Sequence, residues 1–391
     1  MFFQTLDDKT ECVGVYVDGK LHFDEIPDNL TKTWKYTGSV SDKDVEFAWL
    51  YANGLDLEEA APKEMKVALQ DSQRRFRAYL KAFKIGKINL REHCFFDLVP
   101  EDFLMEFCDI KNQVTEHVFK NFKKPENYKF LDKVSRLLHK IKYQDLILNN
   151  EGCRELYYTS MGRKKSNELI DHYGHIDYNL FGTITGRLTT LPNSFPILTV
   201  KKDFRRLLKP HNDWFISLDY NGAEARTLLH LNGQPQPQED IHTWNMENIF
   251  ISERDRDTAK TLFFAWLYNP ESTAFTAECY NRENVLDEWY RGGYIYTPYD
   301  RKILVDERKA LNYLIQSSTA DRVLTRAVEI DEFLKGKKSF ISHIVHDEIV
   351  IDLNDEDRES LIDIKQIFEK DNFMANLNAG KDYFNFKELS I

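Results

Sequence analysis

The sequence predicts an α+β protein with two or three subdomains. Three observations lead there. At 391 residues the chain is too long for one small core. Its hydrophobic content of 42% and aromatic content of 13% suit a folded globular protein, since a disordered one would hold fewer apolar residues. Strand-like and helix-like periodicities both occur, in separate stretches.

The strand signals are local. E-C-V-G-V-Y-V-D-G-K-L-H-F (11–23) alternates around Asp18-Gly19, a dipeptide suited to a hairpin turn with positive φ at both central residues. W-F-I-S-L-D-Y (214–220) reads as a buried strand ending in an acid. I-V-H-D-E-I-V-I-D-L (344–353) reads as a strand carrying His346, Asp347 and Glu348 in its middle. Burying such charge requires a partner. The tail F-N-F-K-E-L returns to strand. Helical patterning covers 61–83, most of 100–148 with a break at Lys124-Pro125, then 253–268, 311–330 and 352–374. Loops are expected at 149–152 and 162–167, and there is no internal repeat.

The net charge is −11, which alone disfavours a polyanion partner, but its distribution is uneven. Lys120, Lys123, Lys124, Lys129, Lys133, Arg136, Lys140 and Lys142 crowd one stretch, and Lys201, Lys202, Arg205, Arg206 and Lys209 another. These are either solvated helix faces or surfaces for a polyanion. The five cysteines are scattered, with no Cys-x-x-Cys pair, which suggests free thiols in a reducing compartment. The start M-F-F-Q-T-L-D-D does not read as a signal peptide, and no apolar run spans a bilayer, so a cytoplasmic location is expected.

Two constellations carry chemistry. Asp219 and Asp347 stand on strand-like segments far apart in sequence. Two rigid carboxylates suit a pair of hard cations serving in-line phosphoryl transfer. Each could equally cap a turn, although three adjacent polar residues in a strand make that harder at Asp347. In R-D-R-D-T-A-K-T-L-F-F-A-W-L-Y (254–268), Arg256, Lys260, Phe264 and Tyr268 recur at every fourth position, along one helix face. Its cationic end suits a triphosphate and its aromatic end a base and sugar. By pattern alone an ordinary amphipathic helix explains it as well.

In order, D-Y-N-G-A-E-A-R (219–226), the Arg-x-x-x-Lys-x-x-x-Phe-x-x-x-Tyr helix and V-H-D-E (345–348) resemble the three signature motifs of family A (Pol I-like) DNA polymerases. T-G-R-L-T-T-L-P-N (185–193), D-I-H-T (240–243) and E-R-K-A-L-N-Y-L-I-Q-S-S-T-A-D (307–321) resemble further family segments, so the likeness covers about 175–391. It implies a right-hand fold: a small module over 1–100, a thumb over 101–165, a palm over 166–235 and 310–391, and reduced fingers over 236–309, since Gln316 follows Tyr268 by only 48 residues. The basic helical stretch then fits a duplex grip.

The resemblance implies roles for these residues. Asp219, Asp347 and the Tyr220 carbonyl would bind two Mg²⁺ ions, with Mn²⁺ a possible substitute and Glu348 in support. Arg256, Lys260 and His242 would hold the triphosphate, and Lys260 could protonate the leaving group. Phe264 and Tyr268 would pack on the incoming dNTP, and Glu224 would exclude a 2′ hydroxyl. Arg187, Arg308, Asn312, Gln316 and His346 would contact primer–template DNA, mostly in the minor groove. His346-Asp347 would form the turn of a palm hairpin.

The chain also departs from the family. Asn221-Gly222-Ala223 stands where Ser-Gln-Ile is common, Phe263 and Ala265 are unusual, and Asn269-Pro270 replaces a Gly. Phe264, where some relatives carry Tyr, predicts discrimination against dideoxynucleotides. No Asp-x-Glu stands on the first hairpin, so an enzyme without its own proofreading exonuclease is expected, of compact phage type and served by one on a separate chain. The N-terminal hairpin would be an exonuclease remnant or a docking module. Two alternatives stand: a single-subunit RNA polymerase, disfavoured by Glu224 and by Glu348 after His-Asp, and a non-catalytic replisome scaffold, disfavoured by Asp219, Asp347, Lys260 and Arg256.

Overall fold

The computed structural model describes residues 1–9, 11–23, 26–90, 92–250, 255–269, 272 and 277–390. The described chain mixes helices with antiparallel sheets, as an α+β fold requires. It divides into two compact units, Met1–His139 and Lys140–Ile391. Among the described residues no helix is long and apolar enough to cross a membrane.

The first unit opens with an antiparallel sheet of Phe3–Asp8, Glu11–Val17 and Lys20–His22. Its second hairpin turns at Asp18 and Gly19, both with positive φ (48° and 77°), as the dipeptide predicts. The helix Glu101–Asn121 packs on this sheet: Tyr16 donates to Asp109 (2.7 Å), and buried Gln4 donates to Asn112 and Thr115. A second long helix, Lys63–Ile85, meets Glu101–Asn121 through Phe76, Tyr79, Phe83, Phe95, Phe103 and Phe107. Residues 1–100 therefore share a core with the helix beyond them, and the unit does not divide at 100/101. The break at Lys124-Pro125 separates Glu101–Asn121 from the helix Tyr128–Lys142.

The second unit is built on a five-stranded antiparallel sheet. Its order is Phe340–Val345, Glu348–Leu353, Trp214–Tyr220, Ala375–Gly380, Lys387–Glu388. The helix Glu307–Phe333 packs against it, burying among others Leu314, Ile315, Val323, Ala327 and Ile330. The 344–353 stretch, strand-like in sequence, is a hairpin: Val345 pairs with Glu348, and His346-Asp347 turns between them. His346 sits at φ 57°, a costly conformation for a residue with a Cβ.

Three sequence expectations need correction. Residues 162–167 are not a loop but lie in the helix Ser160–His172. Thr159 caps it through Gly162 N–H, and Gly162 is required because a Cβ would stand 2.0 Å from the Leu156 carbonyl oxygen. The polar stretch 352–374 is helical only in part, as a 3-10 turn Asp355–Ser360 and a helix Leu361–Phe368. The tail contributes only Lys387–Glu388, while the strand Ala375–Gly380 was not expected. The helix expected from 253 runs Arg256–Leu267, and 253–254 and Pro270 lie outside the described residues.

One buried ion pair braces the second unit. Arg301 forms a two-point contact with Asp321 (2.8 and 2.6 Å), and Asp321 is fully buried. Asp321→Ala should strand the Arg301 charge and cost about 3–5 kcal/mol in urea denaturation, whereas Arg301→Met with Asp321→Ala should recover most of that loss.

Candidate active site

A cleft of about 480 Å³ opens in the second unit, where the central strand, the hairpin turn and the helix Arg256–Leu267 converge. Asp219 lies near the end of Trp214–Tyr220, and the register pairs it with Glu348, one residue past Asp347. Antiparallel pairing thus brings residues 128 positions apart in sequence to one wall. Asp219, Tyr220, Asp347 and His346 line that wall. Arg256, Lys260, Phe264 and His242 line the cleft as well, with Glu224 and Arg187.

The carboxylates share an unfavourable setting. Burial pushes Asp219 up to about 7, reinforced by the charges of Asp347 and Glu348 and opposed by Lys260. Burial also raises Asp347 and Glu348. Glu348 does not line the cleft: its carboxylate accepts from Ser217 Oγ (2.5 Å) and Tyr383 Oη (2.6 Å). It is fastened behind Asp219 and supplies charge from there.

Among the described residues, no three His, Cys, Asp or Glu side chains form a ready metal cage. Two carboxylates nevertheless fit a hard cation that also draws on backbone oxygen, water and substrate phosphate. The raised carboxyls at Asp219 and Asp347 mark the negative charge that such a cation would relieve.

The rest of the lining is largely cationic and aromatic. His242 is buried, its Nδ1 without a hydrogen-bond partner, and burial aided by Lys260 pulls it down to about 4. It is therefore a neutral imidazole at pH 7. Its ring lies 5.8 Å from Phe264, which in turn stacks with Tyr268. Tyr268 caps its helix outside the cleft lining, and its hydroxyl donates to Glu224. Glu224 also pairs with Arg187 at 2.7 Å, so both of its oxygens are held.

Arg308, Asn312 and Gln316 do not line the cleft. They occupy the first half of Glu307–Phe333, with Gln316 donating to Asn312 (2.6 Å), while Thr319, Ala320 and Leu324 further along reach the cleft. Sequence reasoning missed Asp240, Arg226, Asn221 and the Arg301–Asp321 pair. Asn221 stood out only as a departure from a motif, and Asp240 only as part of D-I-H-T.

No family model matches the chain. DNA polymerase I, thermostable, of Thermus aquaticus is 26% identical over 272 residues, covering 55% of this chain and 33% of that protein. DNA polymerase I of Synechocystis is 24% identical over 260 residues, covering 49% and 26%. The chain thus spans about a quarter to a third of these curated relatives' length. Among solved structures, the POL domain of Pol1 from M. smegmatis, in complex with DNA primer-template and dNTP, superposes with a TM-score of 0.55 at 13% identity, covering 73% of this chain and 76% of that one. The chain has a polymerase-domain fold, and its resemblance to family A DNA polymerases is borne out by these relatives.

The raised carboxyl has a pH signature. Folded Asp219 binds its proton more tightly than the unfolded chain does, so its stabilising contribution is full below about pH 4 and is lost as pH rises through about 7. Asp219→Asn should raise the melting temperature of the cation-free protein at pH 8, by about 1–4 kcal/mol of stability. Stabilisation of the wild type by added Mg²⁺ should weaken from pH 8 to pH 6, as protons compete for that carboxylate.

Proposed function

We propose that this chain is a template-directed DNA polymerase that adds deoxynucleotides to a primer 3′ hydroxyl. The observation carrying this reading is that two carboxylates, Asp219 on a strand and Asp347 in the adjoining hairpin turn, line one cleft together with Arg256, Lys260 and neutral His242. The 101–165, 236–309 and flanking segments serve as thumb, fingers and palm, and primer–template DNA and dNTPs are the partners. The bacterial relatives favour action in a bacterial cytoplasm.

Bound Mg²⁺ would supply alignment of the 3′ hydroxyl with the α-phosphate and would neutralise charge on the departing pyrophosphate. Asp219 and Asp347 would hold the ions, with the Tyr220 carbonyl as a further ligand. Arg256 and Lys260 would bind the triphosphate, and Lys260 would give its proton to the leaving oxygen. His242 takes part as a neutral N–H donor. Phe264 presents a flat face to the nucleotide. Glu224, held by Arg187 and Tyr268, is a rigid gate against a 2′ hydroxyl. Glu348 acts by fixing the strand behind Asp219 and by its charge. Arg187 and His346 meet the primer end, while Arg308, Asn312 and Gln316 meet the duplex beyond the cleft.

Primer extension with Mg²⁺ tests the reading. Wild type should extend a primer, and Asp347→Ala should lose about 10²–10³-fold or more of that activity; extension unaffected by the substitution would overturn the assignment. Glu224→Ala should raise ribonucleotide incorporation about 10–100-fold relative to deoxynucleotides, measured as a ratio of kcat/KM values.

A further inference from the structure

Arg256 is already engaged by a carboxylate. Its Nε donates to Asp240 Oδ1 (2.8 Å) and its Nη2 to Asp240 Oδ2 (2.7 Å). Such a fork of N–H donors is also what binds a phosphate at two points, so one partner excludes the other. Asp240 does not depend on Arg256 for its place. Its Oδ2 accepts from Asn221 Nδ2 (2.7 Å), and its Oδ1 accepts from the Thr243 backbone N–H (2.8 Å) and hydroxyl (3.0 Å).

Asn221 is itself doubly tied. Its Oδ1 accepts from the Ile241 N–H (2.8 Å), and its carbonyl accepts from Arg226 Nε (2.7 Å). Arg226, fully buried, also donates to the carbonyls of Pro237 and Glu239. Gly222 completes the seat. It has φ +65°, and a Cβ there would stand 2.2 Å from Ile241 Cγ2. Asn221 and Gly222, two positions where the first motif departs from the common family pattern, are thus the ones that seat Asp240.

We propose that Asn221 and Asp240 form a latch on the nucleotide site: Asp240 occupies Arg256 until the triphosphate of an incoming nucleotide displaces it. This rests on the polymerase reading above. Release is inexpensive because Asp240 keeps three donors when Arg256 leaves, so no bare buried carboxylate remains. Arg256 gains a polyanion in exchange for Asp240, its further contact being Nη1 to the exposed Asp257 (3.2 Å). Asp240 is a positioning residue that acts through Arg256, and it sets how much of the triphosphate's binding energy is spent on opening the latch.

Asp240→Asn separates this role from a structural one, because Asn caps a helix about as well as Asp and keeps its shape while losing the charge. Steady-state primer extension should show KM falling about 5-fold or more for each of the four dNTPs, with a smaller change in kcat. In an Arg256→Ala background the same substitution should leave KM where Arg256→Ala set it. An unchanged or raised KM in the first case, or an equal fall in both, would overturn the latch. Asp240→Ser, which also caps, serves should Asp240→Asn fail to fold. A wild-type chain that neither binds nor incorporates any dNTP would instead sink the polymerase reading, and the latch with it.

Discussion

Carboxylates held close together in a partly buried wall are the constraint around which the second unit is arranged. Register puts Glu348 beside Asp219, and the hairpin turn puts Asp347 next to both. Desolvation and like charge raise all three. Among the described residues none of the three carboxylates forms an ion pair, although Arg187 and Arg205 act on Asp347 and Glu348 from a distance. The fold ties Glu348 to two hydroxyls, leaves Asp219 and Asp347 facing the cleft, and sets Lys260 close enough to oppose Asp219. Such a concentration of negative charge suits a hard cation. The strained φ at His346 belongs to the same arrangement, since it is part of the two-residue turn that presents Asp347.

The facing wall solves the opposite problem, that of keeping cations in place. Arg256 rests on Asp240, and that carboxylate is seated by Asn221, whose carbonyl Arg226 caps from inside the core. A fully buried arginine is tolerated here because carbonyl oxygens of three residues accept from it. The loop around 237–241 is thereby fastened to the end of the strand that carries Asp219. The segments that carry Asp219 and Arg256 are thus joined by hydrogen bonds rather than by sequence proximity.

The basic stretches show how charge counted along a chain differs from charge available on a surface. Lys120, Lys124, Arg136, Lys140 and Lys142 all pair with acids, respectively Glu116, Glu46, Asp132, Asp331 and Asp177. In the second cluster Arg206 pairs with Glu155 and Lys209 with Asp382. The exposed ones among them, such as Lys120–Glu116, contribute little to stability and remain exchangeable with phosphate. Four of the partner acids lie more than 40 positions away, which is why the sequence reads as a bare cationic run.

What the sequence by itself determined is whatever local chemistry dictates. Asp18-Gly19 specifies its turn because few dipeptides accept two positive φ values, Lys124-Pro125 breaks a helix because proline cannot continue it, and the four-residue spacing from Arg256 to Tyr268 puts those side chains along one face. The motif residues that line the cleft, from Asp219 to Asp347, were legible through the resemblance of several short segments taken in order, since pattern alone fits an ordinary amphipathic helix as well. Tertiary structure decided what depends on approach between segments. It set the helix over 162–167 close against the Leu156 carbonyl at Gly162, drew Glu348 away from the cleft to Ser217 and Tyr383, kept Arg308, Asn312 and Gln316 out of its lining, and gave Arg256 to Asp240. Such pairings depend on distances in space, and a pattern along the chain carries no term for them.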